Sequence, residues 1–310
     1  MSVSAARSRG LRVHIVMARR ALLVINTHSR SGHTAFDQVS AALRSHGIEP
    51  IHRDCDGPDA LRAWIEAEGP SADLIVVCGG DGSLNTVAPA LLKADRPLGI
   101  VPTGTANDLA RTLDIPSGIE AAAAIVATGQ ERKIDLGTAN DRPFFNVASI
   151  GMSVELAHEL TPDLKRRFGW LGYAVAALRV LLRAKPFRCI IEVDGERMHA
   201  LSLQVAVGNG RYYGGGNIVA WDAAIDDGTL HAYSLEFVRS WKIALMLAAF
   251  RRGQHGARSD VRALKGTRIK VTTRRRRSVN ADGEIVTKTP VVFGVLPKAL
   301  TVIVPSDPVP

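Results

Sequence analysis

The stretch that decides the fold is glycine-rich and follows a run of apolar residues: Gly79-Gly80-Asp81-Gly82-Ser83-Leu84-Asn85. The preceding run, residues 74–78, is rich in β-branched side chains and predicts a buried strand. Glycines allow a close backbone approach and positive φ, and a helix beginning near Leu84 would point its N-terminal amides at an anion. The stretch therefore predicts a loop that holds nucleotide phosphates. An ordinary glycine-rich turn between strand and helix is the alternative.

This loop differs from two common phosphate-binding patterns. No Gly-Lys-Ser/Thr follows it, as in a P-loop, and it lacks the Gly-x-Gly-x-x-Gly spacing of dinucleotide folds. Its one acidic residue, Asp81, would repel phosphates if no cation lay between them. We therefore expect a magnesium ion between Asp81 and the phosphates, bound directly or through water.

A second loop of the same design follows the next predicted strand, residues 98–101. It leads into a predicted helix with Thr105 or Asn107 as its N-cap, and Thr105 could also offer its hydroxyl and amide to a phosphate. Loops after neighbouring parallel strands meet at the carboxyl edge of the sheet, so the two loops predict one nucleotide site. The residues of this predicted site are Gly79, Gly80, Asp81, Gly82, Ser83, Leu84, Asn85, Thr86, Gly104, Thr105 and Asn107.

Three further motifs follow in the order Gly208-Asn209-Gly210-Arg211 with Gly214-Gly215-Gly216, then Asp226-Asp227-Gly228, then Asp282-Gly283-Glu284. Together with the two loops, this order resembles the diacylglycerol kinase catalytic family. Within that family the chain is similar to the soluble bacterial lipid kinases related to diacylglycerol, sphingosine and ceramide kinases. The resemblance runs from about Arg19 to Pro305. The Gly-Gly-Asp-Gly loop also occurs in NAD kinases and phosphofructokinases, so by itself it indicates only the superfamily.

The resemblance implies an ATP-dependent kinase that uses magnesium and transfers the γ-phosphoryl group to a hydroxyl of diacylglycerol or a related lipid. It implies that Glu284 is the catalytic acidic residue and that Asp282 shares or supports this role. With Asp81, these are the three predicted catalytic residues. Because strand side chains repeat every two residues, Asp282 and Glu284 are expected on one face with Asn280. A carboxylate there could accept the hydroxyl proton. A plain Asp-Gly hairpin turn between residues 274–280 and 285–289 is the alternative.

The resemblance also implies a structural magnesium held by the carboxylate of Asp227 and the main-chain carbonyls of Ala224 and Thr229. Oxygen ligands from one tight loop suit a hard cation. The family usually carries an apolar residue in place of Thr229, and a carbonyl ligand is indifferent to that change. A surface type I turn capped by aspartate is the alternative. A second departure is Asp54, where related kinases often have a threonine near the nucleotide. Its charge would weaken ATP binding unless it points away or meets the metal.

Hydrophobic periodicity divides the chain into two parts. Up to about residue 136, short apolar strands alternate with helical segments, which predicts an α/β domain with a mainly parallel sheet, similar to NAD kinase and phosphofructokinase. Beyond it, strand-like runs predict a mostly antiparallel β-rich second domain, interrupted by helical stretches near 165–183 and 241–253. We assign residues 1–18 to a disordered basic tail and residues 19–137 to the ATP-binding domain. Residues 138–310 form the predicted lipid-substrate domain, whose last strands can pack back on the first.

The predicted elements have the following bounds. Strands of the first domain are expected at 21–26, 48–53, 74–78 and 98–101, and helices at 36–46, 58–68 and 119–128. Strands of the second domain are expected at 143–148, 188–193, 201–208, 230–237, 268–273 and 291–296.

Composition agrees with a globular enzyme. With 310 residues and 46% hydrophobic content, the chain can build two cores, and no apolar run approaches the roughly 18 residues that span a bilayer. The three cysteines are far apart and are typical of core residues in a reducing compartment. Arg12 and His14 interrupt the apolar part of the opening segment, which is not typical of a signal peptide. Met17 is an alternative start.

The charge balance favours an anionic partner. Lysine and arginine exceed aspartate and glutamate by 39 to 30, a net charge of +9, which favours nucleic acid or an anionic membrane surface. Basic clusters occur at 165–167, 251–252 and 274–277, and the first leads into an aromatic and aliphatic stretch that could lie in a lipid interface or simply pack in the core. No aromatic-interleaved basic motif of an RNA-binding domain is present. We therefore expect a lipid surface, no nucleic acid, and a cytoplasmic, peripherally membrane-associated protein.

Two other functions stay open at this point. A non-catalytic lipid- or nucleotide-binding relative would not need the acidic residues Asp81, Asp282 and Glu284. A kinase of a soluble substrate such as NAD would share the first glycine loop, but the long second domain with Asp-Gly-Glu near its end favours the lipid branch. The sequence does not determine which lipid is the acceptor. It also leaves the oligomeric state open, and a homodimer is one of the alternatives.

Overall fold

The first half of the molecule is built on four parallel strands. The computed structural model describes residues 18–25, 32–152, 185–210, 212–213, 217–218, 223–236 and 261–306. In the sheet the parallel strands lie in the order β2, β1, β3, β4, and their apolar side chains are buried. Their bounds are β1 (Arg19–Ile25), β2 (Ile48–Ile51), β3 (Leu74–Gly79) and β4 (Leu98–Pro102).

Helices connect these strands and pack on the sheet. The first packs against the last, and the second against the third. Their bounds are α1 (Gly32–Ser45), α2 (Pro58–Glu68), α3 (Asp81–Ala94), α4 (Asp108–Thr112) and α5 (Ile119–Thr128), with a short 3-10 turn at Gly69–Ser71. Strands and helices enclose a first hydrophobic core, in which Leu74 to Val77 are fully buried. This α/β layer places the ends of β3 and β4 side by side.

The second half is antiparallel and encloses a second hydrophobic core. Its central strand β9 pairs with β7 and β8 along one edge and with β12 along the other. The strands are β5 (Gln130–Ala139), β6 (Arg142–Phe144), β7 (Val147–Gly151), β8 (Phe187–Val193), β9 (Glu196–Gly208), β10 (Tyr212–Tyr213), β11 (Asn217–Ile218), β12 (Leu230–Glu236), β13 (Val261–Gly266), β14 (Arg268–Thr273), β15 (Ser278–Ala281), β16 (Glu284–Lys288) and β17 (Val291–Val304).

The last strand joins the two halves. β17 is antiparallel to β5 and β14, and it reaches the parallel part through the pair Val302 and Leu98. Its register shifts between Leu296 and Leu300, where Lys298 adopts a left-handed conformation. The amide of Lys298 donates to Asp135 Oδ1 at 2.6 Å. One sheet therefore continues from the parallel strands of the first half into the antiparallel strands of the second half.

The predicted fold class is confirmed, and most strand and helix bounds shift by a few residues. Two strands are longer than predicted: β9 begins at Glu196 instead of 201, and β17 runs to Val304 instead of 296. Strands β5, β10, β11 and β13 have no counterpart among the predicted elements, and the predicted strand at 143–148 is broken at Phe145 and Asn146 into β6 and β7. The expected helices near 165–183 and 241–253, the basic clusters within them and the N-terminal tail lie outside the described residues.

Cysteines and helices bear on two further expectations. Cys78 and Cys189 are buried and Cys55 is half-buried, all as free thiols, and burial raises the pKa of each. Cys78 and Cys189 are core residues, as the sequence predicts, whereas Cys55 only packs against the edge of the first core. Among the described residues no helix combines the length and the apolar character needed to cross a bilayer.

Candidate functional site

The two glycine loops contact each other at the carboxyl ends of β3 and β4. The Thr103 amide donates to the Gly79 carbonyl at 3.0 Å. A Cβ on Gly104 would lie 2.5 Å from the Cα of Gly80, so a side chain cannot fit between the loops. The predicted meeting of the two loops is therefore observed, and it depends on backbone-to-backbone packing.

The helix after the first loop begins earlier than the sequence predicts. α3 starts at Asp81, three residues before Leu84, because the amides of Ser83 and Leu84 already bond to the Gly80 carbonyl. The side chains of Leu84 and Asn85 are buried, and Thr86 Oγ1 donates to the Gly82 carbonyl at 2.8 Å. What this loop can offer a ligand is therefore mainly its main chain.

Asp81 has an unexpected partner in the second loop. Its carboxylate accepts the amides of Asp108 at 3.0 Å and Leu109 at 3.1 Å, which are the first amides of α4. The expectation of Asn107 as N-cap is confirmed in position, with φ of 50°. Its side chain makes no capping bond, because Nδ2 donates to the Gly104 carbonyl instead. The carboxylate of Asp81 supplies the negative charge that this helix end favours.

Asp282 and Glu284 do not share one face of a strand, because a turn separates them. Asp282 and Gly283 have φ of 45° and 95° and form the two-residue turn between β15 and β16. Both φ values are positive, as a tight hairpin requires, so the hairpin alternative describes the backbone. Asn280 Oδ1 accepts the Gly283 amide at 3.0 Å and helps to close the turn. Glu284 is the first residue of β16 and is exposed.

The carboxylate of Asp282 turns inward onto the start of β7. It accepts the amides of Phe145 at 2.6 Å, Asn146 at 3.0 Å and Val147 at 3.0 Å. Burial raises the pKa of Asp282 to about 6, although these hydrogen bonds lower it, and the nearby charge of Asp81 raises it further. Asp282 is thus a fixed point of the hairpin.

Asn146 joins the two acidic residues, although no motif in the sequence marks it. Its Nδ2 donates to Asp81 Oδ1 at 3.3 Å, while its own amide donates to Asp282. Its carbonyl accepts the amides of Asn209 and Gly210, so part of the Asn-Gly-Arg motif meets the same residue. The only sequence signal is its place directly after Phe144-Phe145, where a strand pattern ends. Arg211 and the three glycines at 214–216 lie outside the described residues.

Comparisons with known proteins match both halves of the chain. The family model described as the diacylglycerol kinase catalytic domain covers residues 20–139. The model described as the YegS C-terminal NAD kinase beta sandwich-like domain covers residues 146–304. A diacylglycerol kinase of Bacillus subtilis (strain 168) is 34% identical over 281 residues, which is 88% of this chain and 89% of that protein.

This chain belongs to the diacylglycerol kinase family. A diacylglycerol kinase of Staphylococcus aureus (strain bovine RF122 / ET3-1) is 30% identical over 79% of each chain. A crystal structure of a diacylglycerol kinase from Bacillus anthracis str. Sterne superposes with a TM-score of 0.71 over 92% of this chain and 97% of that one. Its 23% sequence identity makes this a likeness of fold. Family membership makes the protein a kinase of the lipid kinase type.

The loop expected to hold a structural magnesium in this family member is filled by protein donors. Asp227 Oδ1 accepts the amide and hydroxyl of Thr229 at 2.9 and 2.7 Å. Oδ2 contacts His231 Nε2 at 2.9 Å and Lys265 Nζ at 3.5 Å. Burial raises the pKa of Asp227, but the hydrogen bonds from His231 and Thr229 outweigh it and lower the pKa overall. Donors point at both carboxylate oxygens, so this arrangement does not fit a cation bound by Asp227.

The rest of that loop is held in the same way. Asp226 pairs with Arg132, and Asp135 accepts the Gly228 amide at 2.6 Å. Within the described parts of the chain, no group of three or more His, Cys, Asp or Glu side chains could hold a metal ion. The carbonyls of Ala224 and Thr229 are predicted to bind the same ion as Asp227. Because the Asp227 carboxylate is occupied by protein donors, it does not complete that ligand set.

Asp54 and the basic cluster at 274–277 are the remaining features that the sequence singled out. Asp54 Oδ1 lies 3.2 Å from His52 Nε2, and the other ring nitrogen of His52 contacts the Leu23 carbonyl, so a neighbouring side chain meets the charge of Asp54. In the basic cluster at 274–277, the first three arginines are exposed. Arg277 stacks 4.2 Å above the Phe187 ring.

Proposed function

We propose that this kinase transfers the γ-phosphoryl group of ATP to a hydroxyl of diacylglycerol or a related lipid. The observation that carries the proposal is the chain of contacts from Asp81 through Asn146 to Asp282, which holds a glycine-loop site beside an acidic hairpin. Relatives named diacylglycerol kinase support the lipid acceptor. In phosphoryl transfer most of the rate comes from positioning and electrostatics, which such a junction can provide.

The nucleotide would enter as its magnesium complex. Main-chain groups of the loops at 79–82 and 102–105 suit phosphate oxygens because glycine leaves them uncovered. The two oxygens of Asp81 accept three donors, whereas a carboxylate has about four acceptor directions. One direction is left, which fits a contact with the magnesium of the nucleotide through water.

Glu284 is the proposed general base. Its carboxylate is exposed at the start of β16, two residues after Asp282, which fixes the turn. The acceptor hydroxyl would give its proton to Glu284 while its oxygen bonds to the γ-phosphorus and the bond to the ADP oxygen breaks. Asp282 already accepts three main-chain amides, so we assign it the support of the hairpin.

The exposed arginines at 274–276 are the proposed contact with anionic lipid. They lie in the loop between β14 and β15, at the end of the β15–β16 hairpin opposite to the turn that precedes Glu284. Each basic residue near an anionic surface contributes about 1 kcal/mol of attraction. Peripheral association of this kind would bring the acidic hairpin close to the lipid surface that carries the acceptor hydroxyl.

The test is phosphorylation of an acceptor panel by the purified chain. Radiolabelled ATP is supplied with diacylglycerol, ceramide, sphingosine and a glycolipid in mixed micelles, and with NAD as a soluble acceptor. We expect label in at least one lipid and loss of that label in Glu284→Gln. Label in NAD alone would replace the proposal with a soluble-substrate kinase. ATP binding without any labelled acceptor would support a non-catalytic relative.

A further inference from the structure

We infer that Asn146 is a positioning residue that ties the nucleotide loop to the acidic hairpin. It lies in the two-residue gap between β6 and β7 and is buried, with 3% of its surface exposed. The inference rests on the proposed function and adds a residue through which the two halves of the site are held in register.

Asn146 contacts three separate parts of the sequence at once. Its side-chain amide donates to Asp81 at 3.3 Å, and its main-chain amide donates to Asp282 at 3.0 Å. Its carbonyl accepts the amides of Asn209 at 2.9 Å and Gly210 at 3.3 Å. Movement of any one of these segments therefore changes the contacts of the other two.

The chemistry of an amide suits this position. Asp81 and Asp282 carry like charges, and the charge of Asp81 already disfavours ionisation of Asp282. A neutral N–H donor can orient a carboxylate without adding charge, whereas an aspartate at this position would add a third negative group. Alanine would leave Asp81 Oδ1 with one donor fewer while the capping of α4 remains.

A second observation points to a ligand at the same residue. Asn146 Oδ1 is buried and has no hydrogen-bond partner among the described residues. A Cβ on Gly210 would lie 3.7 Å from this oxygen, so a side chain at that position would pack against it, and glycine places none there. Buried side-chain acceptors are rarely left unpaired. A hydrogen bond from a bound substrate or from its water would satisfy this oxygen.

The contact with Asp81 is tested by a thermodynamic cycle that needs no kinase activity. We compare the melting temperatures of the wild type, Asn146→Asp, Asp81→Asn and the double variant. Asn146→Asp should lower the melting temperature of the wild type by about 3 °C or more beyond the amount by which it lowers that of Asp81→Asn. The reason is that the new carboxylate is repelled by Asp81 in the wild type, and this repulsion is absent when residue 81 is asparagine. Equal shifts in both backgrounds would show that Asn146 and Asp81 are not coupled.

The positioning role is tested by kinetics on the best acceptor. We expect Asn146→Ala to lower kcat about tenfold or more and to leave KM for MgATP within about twofold. The matched control is Asn140→Ala, which removes side-chain bonds to Thr287, at the end of β16 away from Glu284, and to Val292 on β17, and should keep kcat within about twofold. Should Asn146→Ala fail to fold, Asn146→Ser takes its place, since its hydroxyl is too short to span the gap.

The outcomes separate this inference from the proposed function. A wild-type kcat retained by Asn146→Ala, or an equal loss in Asn140→Ala, would overturn the positioning role. If the wild type labels no acceptor, the proposed function fails, and the melting-temperature cycle still decides whether Asn146 couples to Asp81.

Discussion

Three carboxyl side chains of the site have three different surroundings. Asp81 accepts the first amides of α4, Asp282 accepts the amides of residues 145–147 at the junction of β6 and β7, and Glu284 is exposed. Main-chain amides hold a carboxylate in one orientation and satisfy its acceptor capacity. Of these three groups, Glu284 is therefore the one suited to exchange a proton with a substrate, while the other two hold the loops around it.

The first prediction concerns Glu284. Glu284→Gln keeps the shape of the side chain and removes its ability to accept a proton, so kcat should fall by about a hundredfold or more. ATP binding, measured by titration with a fluorescent analogue, should change little because the effect falls on the transition state. Turnover within about threefold of the wild type would contradict the role of Glu284 as a base.

The second prediction concerns the pH dependence of stability at Asp282. Its folded pKa of about 6 lies above its ordinary value of 3.8. The folded state therefore binds the proton more tightly than the unfolded state, and protonation of Asp282 stabilises the fold. The stabilisation is complete below about pH 4 and is lost as the pH rises through 6. The free energy of unfolding of the wild type, relative to Asp282→Asn, should therefore fall between pH 4 and pH 7, by at most about 3 kcal/mol. Urea unfolding of both proteins measures it, and a difference that rises with pH would contradict it.

At the scale of elements, the contact between the glycine loops gives a third prediction. In Gly104→Ala the new Cβ would lie 2.5 Å from Gly80 Cα and 2.7 Å from Asn107 Oδ1, so the loops must move apart. We expect a loss of about 1–3 kcal/mol in the free energy of unfolding and weaker ATP binding. Gly82→Ala is the control for stability, because no atom lies within 4 Å of its Cβ, and it should stay within about 1 kcal/mol of the wild type. Equal losses in both variants would contradict the contact.

Elements with a strong local signal were predictable from sequence. Buried strands such as β3 and β4 are short apolar runs bounded by glycine or proline, and α2 begins at a proline, so their patterns are local. β5 could not be predicted from sequence, because its first four residues, Gln-Glu-Arg-Lys, are polar or charged and its buried residues come only after them. Its pairing with β17 decides its structure, and that pairing joins segments that lie about half the chain apart in sequence.

The candidate site likewise has one part that the sequence predicts and one part that depends on tertiary contacts. The glycine loops and the Asp-Gly hairpin turn carry local conformational signals and could be read from sequence. The orientations of Asp81 and Asp282 depend on amides at 108–109 and 145–147, far away in sequence, and no local pattern encodes them. Asn146 was missed for this reason, because its importance lies entirely in tertiary contacts.

For the whole molecule, the net charge of +9 gives a fourth prediction. Reversal of the exposed arginines at 274–276 to glutamate should weaken sedimentation with anionic vesicles, and added salt should weaken that of the wild type. The control reverses three dispersed exposed residues, Lys133, Arg142 and Arg188, for the same change in net charge. We expect the control to bind more strongly than the cluster variant. Equal binding of the two would show that net charge, and not the cluster, governs the contact.

The fifth prediction concerns the cooperativity of the two cores. Val302 and Val291 are fully buried in the first and second core, and both belong to β17. Because one strand serves both cores, Val302→Ala and Val291→Ala should each lower one common melting transition, at a cost of about 2 kcal/mol. Calorimetry measures it, and two separate transitions would contradict a shared strand.

The position of β17 in the chain has a consequence for synthesis. Its partners β4, β5 and β14 all precede it, so every element that it contacts has left the ribosome before it does. Until then β5 and β14 each lack their neighbour, and both cores stay incomplete. From the completion of β5 until β17 is synthesised, the nascent protein therefore presents an open sheet edge, and such an edge can pair wrongly with another chain.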